Sequence, residues 1–366
     1  MNLFGQSLYD EELLEQIGEK RSLLKTDRLD MSFGEIVSNY EENALVIDPE
    51  YQRTFRWGTD KQTRFIESLL LGIPIPPIFV ADYNGKWELI DGVQRVSTIL
   101  SFLGKLKKGK FGEEVKNNFK LERGEILTKI EGYSFNDLPY KLQMTIKRFV
   151  CRVEILQWDT NQEMKYHLFN RLNTGGEPLT QQEIRNCIYR GDFNNLVNEM
   201  ARNKDFIAII NPSETQEKQM YLSELILRYF AVFTHFDDLK LPKGGGGSIQ
   251  AYLTKFASKQ MVDNSILEAQ QLFFEAVKIL KIYTAENKQS LFRKNQTGVF
   301  NNNFYDAVMY LLSKNSEYIR KNLESSYQKI SNILEDQRFI DASGANTYAT
   351  ERLYKKIELI EKMFNE

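Results

Sequence analysis

Three short stretches of this sequence hold residue types suited to gripping a phosphorylated ligand. The sharpest is Ile90-Asp91-Gly92-Val93-Gln94-Arg95. Gly92 lets the backbone turn tightly and lets a ligand approach where a Cβ would otherwise stand. A helix starting there offers unpaired N–H groups and a partial positive charge, which together make an anion site. Arg95 adds a two-pronged phosphate donor. Asp91 suits any of three roles: orienting a water, holding Mg²⁺, or accepting a ribose hydroxyl. A plainer account makes Asp91 a helix cap and Arg95 a solvated surface charge.

The second stretch runs from Asp48 to Trp57 and mixes arginines with aromatics. Gln52, Arg53 and Arg56 suit a phosphate, whereas Tyr51, Phe55 and Trp57 suit either a stacked base or the core. The third stretch, Phe169 to Thr180, carries Asn173 and the pair Gly175-Gly176. Glycines after a helix form a nest of amides that binds anions, or simply end the helix. A basic loop, with Lys105, Lys107, Lys108 and Lys110, could follow a nucleic-acid backbone.

The elements that must position these residues are readable from periodicity. Lys61–Leu71 has apolar residues at helical spacing, with Thr59 or Asp60 as candidate caps and Gly72 to end it. Ile78–Asp82 and Lys86–Ile90 read as strands joined by an Asn84-Gly85 hairpin turn. Val93–Leu103 reads as the helix after the Asp91-Gly92 turn. Ala44–Ile47 and Phe149–Leu156 read as strands, and Leu138–Arg148 and Gln162–Leu172 as helices. Thr180-Gln181-Gln182-Glu183 has the capping-box pattern opening a further helix. From Asp192 onward the pattern is helical throughout, in segments 220–236, 265–283, 302–313, 317–334 and 348–364. Gly244–Ser248 reads as a flexible break, natural or engineered. The expected class is α+β with a small mixed sheet, followed by an all-helical domain. The expected divisions are an N-terminal extension over 1–29, the α+β domain over 30–190 and the helical domain over 191–366.

Composition narrows the function classes. A net charge of -2 over 366 residues excludes a generally basic nucleic-acid coat, though a local patch needs no net charge. Two cysteines and two histidines, scattered singly, give neither a disulfide framework nor zinc-ligand spacing. A G-x-x-x-x-G-K-[ST] phosphate loop is missing. No run reaches the roughly 18–20 apolar residues that span a bilayer, and the N-terminus lacks a signal-peptide pattern. A cytoplasmic location with no membrane association is the expectation.

In order, Tyr51-Gln52-Arg53 with Trp57, Ile66 to Pro77, Ile90 to Arg95 and Phe169 to Arg185 resemble the N-terminal domain family of GmrSD-type modification-dependent restriction enzymes. The resemblance covers roughly residues 30–190, with a looser match at Ser343–Thr347. It implies a ParB/sulfiredoxin-like core in which an Asp-Gly-Gln-Gln-Arg box binds and hydrolyses a nucleotide that licenses DNA cleavage. Asp91, Gly92, Gln94 and Arg95 match that box, and Arg53 matches the upstream arginine. Val93 stands where the box often has its first Gln, which weakens the case for turnover more than that for binding. No His lies beyond His235. A His-Asn-His nuclease site is therefore not encoded there, and the chain reads as the stand-alone member of the family.

The resulting expectation is a nucleotide-dependent switch or NTPase in a restriction or anti-phage system. Asp91, Arg95 and Arg53 are its candidate catalytic residues. Gly92, Gln94, Gln52, Arg56, Asn173 and Gly175 join Arg95 and Arg53 in binding the nucleotide. Mg²⁺ with a nucleoside triphosphate is the expected cofactor, with Asp91 as metal ligand. The expected partners are DNA and a separate nuclease or defence subunit. Two rivals stand beside it: a metal-dependent DNA nuclease in its own right, and a non-enzymatic module that binds DNA or a partner.

Overall fold

The structure, a computed structural model, describes residues 3–22, 25–47, 57–107, 116–157, 162–172, 179–240, 248–287, 292–293, 300–342 and 349–366. The chain divides into two compact units, Met1–Pro178 and Leu179–Glu366.

The first unit is built on a five-stranded mixed sheet. Its strands are β1 (Thr26–Ser32), β2 (Leu45–Val46), β3 (Ile78–Tyr83), β4 (Lys86–Asp91) and β5 (Val150–Leu156), in the order β1-β5-β3-β4-β2. β1–β5 and β3–β4 pair antiparallel, while β3–β5 and β2–β4 pair parallel. Asn84 and Gly85 both take positive φ in the β3–β4 turn, and the Asp82 carboxylate accepts from the Gly85 amide at 2.6 Å. The expected hairpin is thus present.

β1 was not expected. Its sequence Thr-Asp-Arg-Leu-Asp-Met-Ser is largely exposed, and its apolar alternation is limited to Leu29 and Met31. It is held instead by seven residues of pairing with β5 and by cross-strand charge pairs, Arg28–Glu154 at 3.0 Å and Asp30–Arg152 at 3.1 Å. β1 also straddles position 29, where the sequence reading began the domain.

Helices α1 (Leu3–Ser22), α2 (Phe33–Glu41), α3 (Thr59–Leu71), α4 (Val93–Phe102), α5 (Tyr140–Arg148) and α6 (Gln162–Leu172) complete this unit. α3 starts from Gly58, without a side-chain cap from Thr59 or Asp60, and ends at Gly72 in the left-handed conformation. The core gathers Phe33, Ile66, Leu69, Ile78, Val80, Leu89, Val96, Ile99 and Leu100, all at most 3% exposed. Phe102, Phe119 and Phe135 extend it under the irregular segment 116–138. α3 also anchors that segment by polar groups. Glu67, 4% exposed, accepts from the amides of Ile126 (2.8 Å) and Leu127 (2.5 Å), and the Thr63 hydroxyl accepts from the Glu122 amide.

In the second unit the described residues are helical apart from short connections and one bridge, Arg293–Phe300. The expected helix over 317–334 is two helices, Ser316–Lys321 and Leu323–Glu335. Asn322 separates them, its side-chain amide donating to the Tyr318 carbonyl at 3.0 Å in competition with the backbone ladder. The unit begins with α7 (Gln181–Ile188), capped by the Thr180/Glu183 box. Arg185 of α7 is 1% exposed and donates to Gln182, Glu224, Gln250 and Thr254. That wiring places α7 with the second unit rather than the first. Arg228 and Asp306 form a second buried pair, with Arg228 Nε donating to Asp306 at 3.0 Å.

Candidate functional site

The Asp91–Arg95 segment lies where a central strand passes into a helix. β4 ends at Asp91, opposite Phe79, and the β3–β4 register shifts between Phe79 and Val80. Such irregularities re-aim side chains at the end of a ladder. Gly92 then adopts φ 95° and ψ 12° and stands as the N-cap of α4. A side chain there would be strained by the positive φ. Its Cβ would also sit 3.1 Å from the Ile78 side chain and 3.4 Å from Arg95 Nη2. Gly92 supplies no capping side chain. The first turn of α4 therefore keeps the amide dipoles that favour an anion.

Arg95 does not point into solvent. Its Nη2 donates to Asp91 Oδ2 at 2.8 Å, and its Nη1 donates to the carbonyls of Pro77, at 3.1 Å, and Pro76. The Arg95 side chain is 11% exposed and that of Asp91 is 38% exposed. The cause lies in the proline run. Residues 73–77 precede β3 outside any strand, so their carbonyls have no ladder partners and accept from elsewhere. Arg95 supplies the donor. The bidentate phosphate grip read from the sequence is accordingly replaced by a clamp on Asp91 and the Pro76-Pro77 carbonyls. Burial raises the Asp91 carboxyl above its ordinary range, with the Arg95 charge pulling the other way. Burial lowers the Arg95 guanidinium, opposed by the Asp91 charge.

Gln94 also has structural work. Its Oε1 accepts from the Trp57 amide at 3.2 Å, and the Trp57 ring meets Phe65 edge-on at 5.8 Å. Two of the stretches singled out in the sequence, Trp57 and the Asp91–Arg95 turn, are therefore joined. Val93 is buried at 8% exposure.

The remaining candidates divide into two groups. Gln52, Arg53, Arg56, Asn173, Gly175, Lys108 and Lys110 lie outside the described residues. Lys105 and Lys107 are described, and both are turned to the C-terminal end of α2. Lys105 Nζ pairs with Glu41 at 2.5 Å. Lys107 Nζ donates to the carbonyls of Tyr40 and Glu41 and to Asn43 Oδ1. They satisfy the free carbonyls and negative dipole of a helix end, a use at odds with the phosphate-tracking role expected from the basic loop. α2 went unread in the sequence, so its need for cations was not foreseen.

Cys151, on β5, is buried, and burial pushes its thiol up to about 11. Among the described residues no three His, Cys, Asp or Glu side chains are grouped to hold a metal. Sequence reasoning missed Glu67 and Arg185 as buried polar anchors. Each is a charged residue on an apolar helix face, which was the available signal. In the second unit a cleft of about 560 Å³ is lined by Phe233, Leu272, Lys314, Tyr318 and Lys321, none of them singled out from the sequence.

The first unit is thus an α+β domain whose distinguishing site is a strand–glycine–helix junction with a half-buried Asp–Arg pair. Residues 33–190 match the family described as GmrSD restriction endonuclease, N-terminal domain. No curated protein and no solved structure matches the chain. No described helix is long and apolar enough to cross a membrane.

Proposed function

We propose that this chain is a nucleotide-binding component of a restriction or anti-phage system that acts on DNA, with a ParB/sulfiredoxin-like core. Its site is the Asp91–Arg95 junction. One observation carries the reading: an uncapped helix N-terminus, reached through a left-handed Gly92, beside a carboxylate held by a buried arginine. Anionic phosphates suit the free amides in the first turn of α4. A nucleoside triphosphate with Mg²⁺ fits this set. Asp91 is the exposed partner of the pair and would supply one carboxylate to the metal or to a water, the phosphates and waters supplying the rest.

Arg95 keeps Asp91 oriented and adds positive field from behind, where preorganised charge costs no rearrangement. Gln94 holds Trp57 in place. Arg53, on the resemblance alone, is assigned to neutralising charge on the phosphates. A separate nuclease subunit is the partner that this role implies.

A second reading has one observation in its favour. The buried, apolar Val93 removes a polar contact from the box, which suits a sensor that binds without turnover.

The experiment is calorimetric titration of the full chain with ATP, GTP and CTP in the presence of Mg²⁺, with phosphate release followed on the same samples. Asp91→Asn and Gly92→Ala should each lose binding by about tenfold or more, the loss expected from one well-placed polar or steric contact. Binding without phosphate release selects the sensor. Binding that both variants retain removes this junction as the site.

A further inference from the structure

The structure brings forward a different set of cations from the one the basic loop suggested. Over residues 105–148, Lys and Arg outnumber Asp and Glu by eleven to six, in a chain whose net charge is -2. Lys105 and Lys107 are consumed at the end of α2. Three of the remaining nine lie together on α5. This helix, Tyr-Lys-Leu-Gln-Met-Thr-Ile-Lys-Arg, has three cations and no acid. Ile146 is fully buried, while Lys141, Lys147 and Arg148 are exposed and Tyr140 is 75% exposed. None of these three cations is in an ion pair within the described structure.

Two neighbours extend the patch. Lys147 Nζ lies 5.5 Å from the centre of the Phe135 ring. Phe135 belongs to a short turn with Asp137, which lies close enough to Lys120 to feel its charge. Asp137 is itself engaged by Ser134, whose amide and hydroxyl both donate to it. Lys120 is exposed and free of any ion pair. Within this turn and α5 the one acid, Asp137, is already engaged, and the exposed Tyr140 stands beside the cations.

We infer that the solvent face of α5, with Lys120, docks the phosphate backbone of duplex DNA. This deepens the proposed function and rests on its reading that the chain acts on DNA. Lys141 and Arg148 are seven residues apart, two helical turns, which is about 10 Å along the axis. A helix lying across a backbone can set both cations against phosphates, and Tyr140 adds a hydroxyl donor at its N-terminal end. Such contacts orient the duplex without reading its sequence. A merely solvated face would carry the usual interspersed acids, and α5 has none.

The test is fluorescence anisotropy of a labelled duplex of about 24 base pairs (a length that spans about two helical turns) against the full chain over a series of salt concentrations. The variant is Lys141→Gln/Lys147→Gln/Arg148→Gln, and the control is Lys321→Gln/Lys362→Gln in the second unit. Each lost phosphate contact should lower the salt-dependence slope by about 0.9, so the triple variant should lose about 2 to 3 units of slope and at least about tenfold in affinity at low salt. The control should match the parent. A triple variant with unchanged slope and affinity, or a parent that binds no duplex at low salt, overturns the assignment. Nucleotide titration of the same triple variant separates the two ideas: intact nucleotide binding leaves the Asp91 site standing whichever way the DNA result falls.

Discussion

Replacing Arg95 by Met keeps much of the side chain's volume and removes three donated hydrogen bonds. Two go to the carbonyls of Pro76 and Pro77 and one to Asp91. The part-buried Pro77 carbonyl deprived of its donor costs roughly 1 kcal/mol, whereas water takes the donor's place at the exposed Pro76 carbonyl. Asp91 is left without its cation, a loss that would cost about 3–5 kcal/mol if fully buried. With 38% of the Asp91 side chain exposed, water returns part of that, and about 1–2 kcal/mol is a fair share. The expected total is about 2–3 kcal/mol.

The assay is urea unfolding followed by tryptophan fluorescence. Trp57, Trp87 and Trp158 all lie in the first unit, so the signal reports that unit alone. The cost should depend on pH. The folded Asp91 has a raised pKa, so its contribution to stability is present below the unfolded value and is lost as pH rises through the folded one. Without the Arg95 charge that pKa climbs further. The deficit of Arg95→Met should therefore be larger at pH 7 than at pH 4, because the carboxylate that misses its cation forms as pH rises. A deficit below about 1 kcal/mol, or one equal at both pH values, would refute the clamp.

Gly92→Val forces a positive φ on a β-branched residue and pushes a side chain toward Ile78, so the first unit should lose about 2–4 kcal/mol in the same fluorescence melt. Glu67→Ala strips the acceptor from two amides and should cost about 2–4 kcal/mol, with faster hydrogen exchange at Ile126 and Leu127 while β3 and β5 stay protected. In the second unit Arg228→Met strands the fully buried Asp306 and should cost about 3–5 kcal/mol, measured by circular dichroism. Arg228→Met with Asp306→Leu should recover most of it, because a well-packed apolar pair replaces a buried ion pair at little cost.

Local signals carried much of this fold into the sequence. Asn84-Gly85 announced the hairpin, Gly72 the end of α3, and Thr180 with Glu183 the start of α7, because each works through its immediate neighbours. The Asp91-Gly92 junction was legible for the same reason. The direction of Arg95 was not, since its partners are 18 and 19 residues upstream, in a proline run whose stranded carbonyls only tertiary structure exposes. Likewise Gln94 looked like a ligand contact until its bond to Trp57, 37 positions away, became visible. β1 offered only Leu29 and Met31 as an alternation to read, and its pairing and charge pairs are with a strand more than a hundred residues distant.

α7 has a consequence for how such proteins are cut and recombined. The family-matched span ends at residue 190, yet α7 closes its polar contacts with Glu224, Gln250 and Thr254. A fragment ending at 190 would carry a helix whose guanidinium has lost three of its four partners, and a chimera joined there would set Arg185 against foreign residues. A junction just before Leu179 instead keeps α7 in the same piece as Glu224, Gln250 and Thr254.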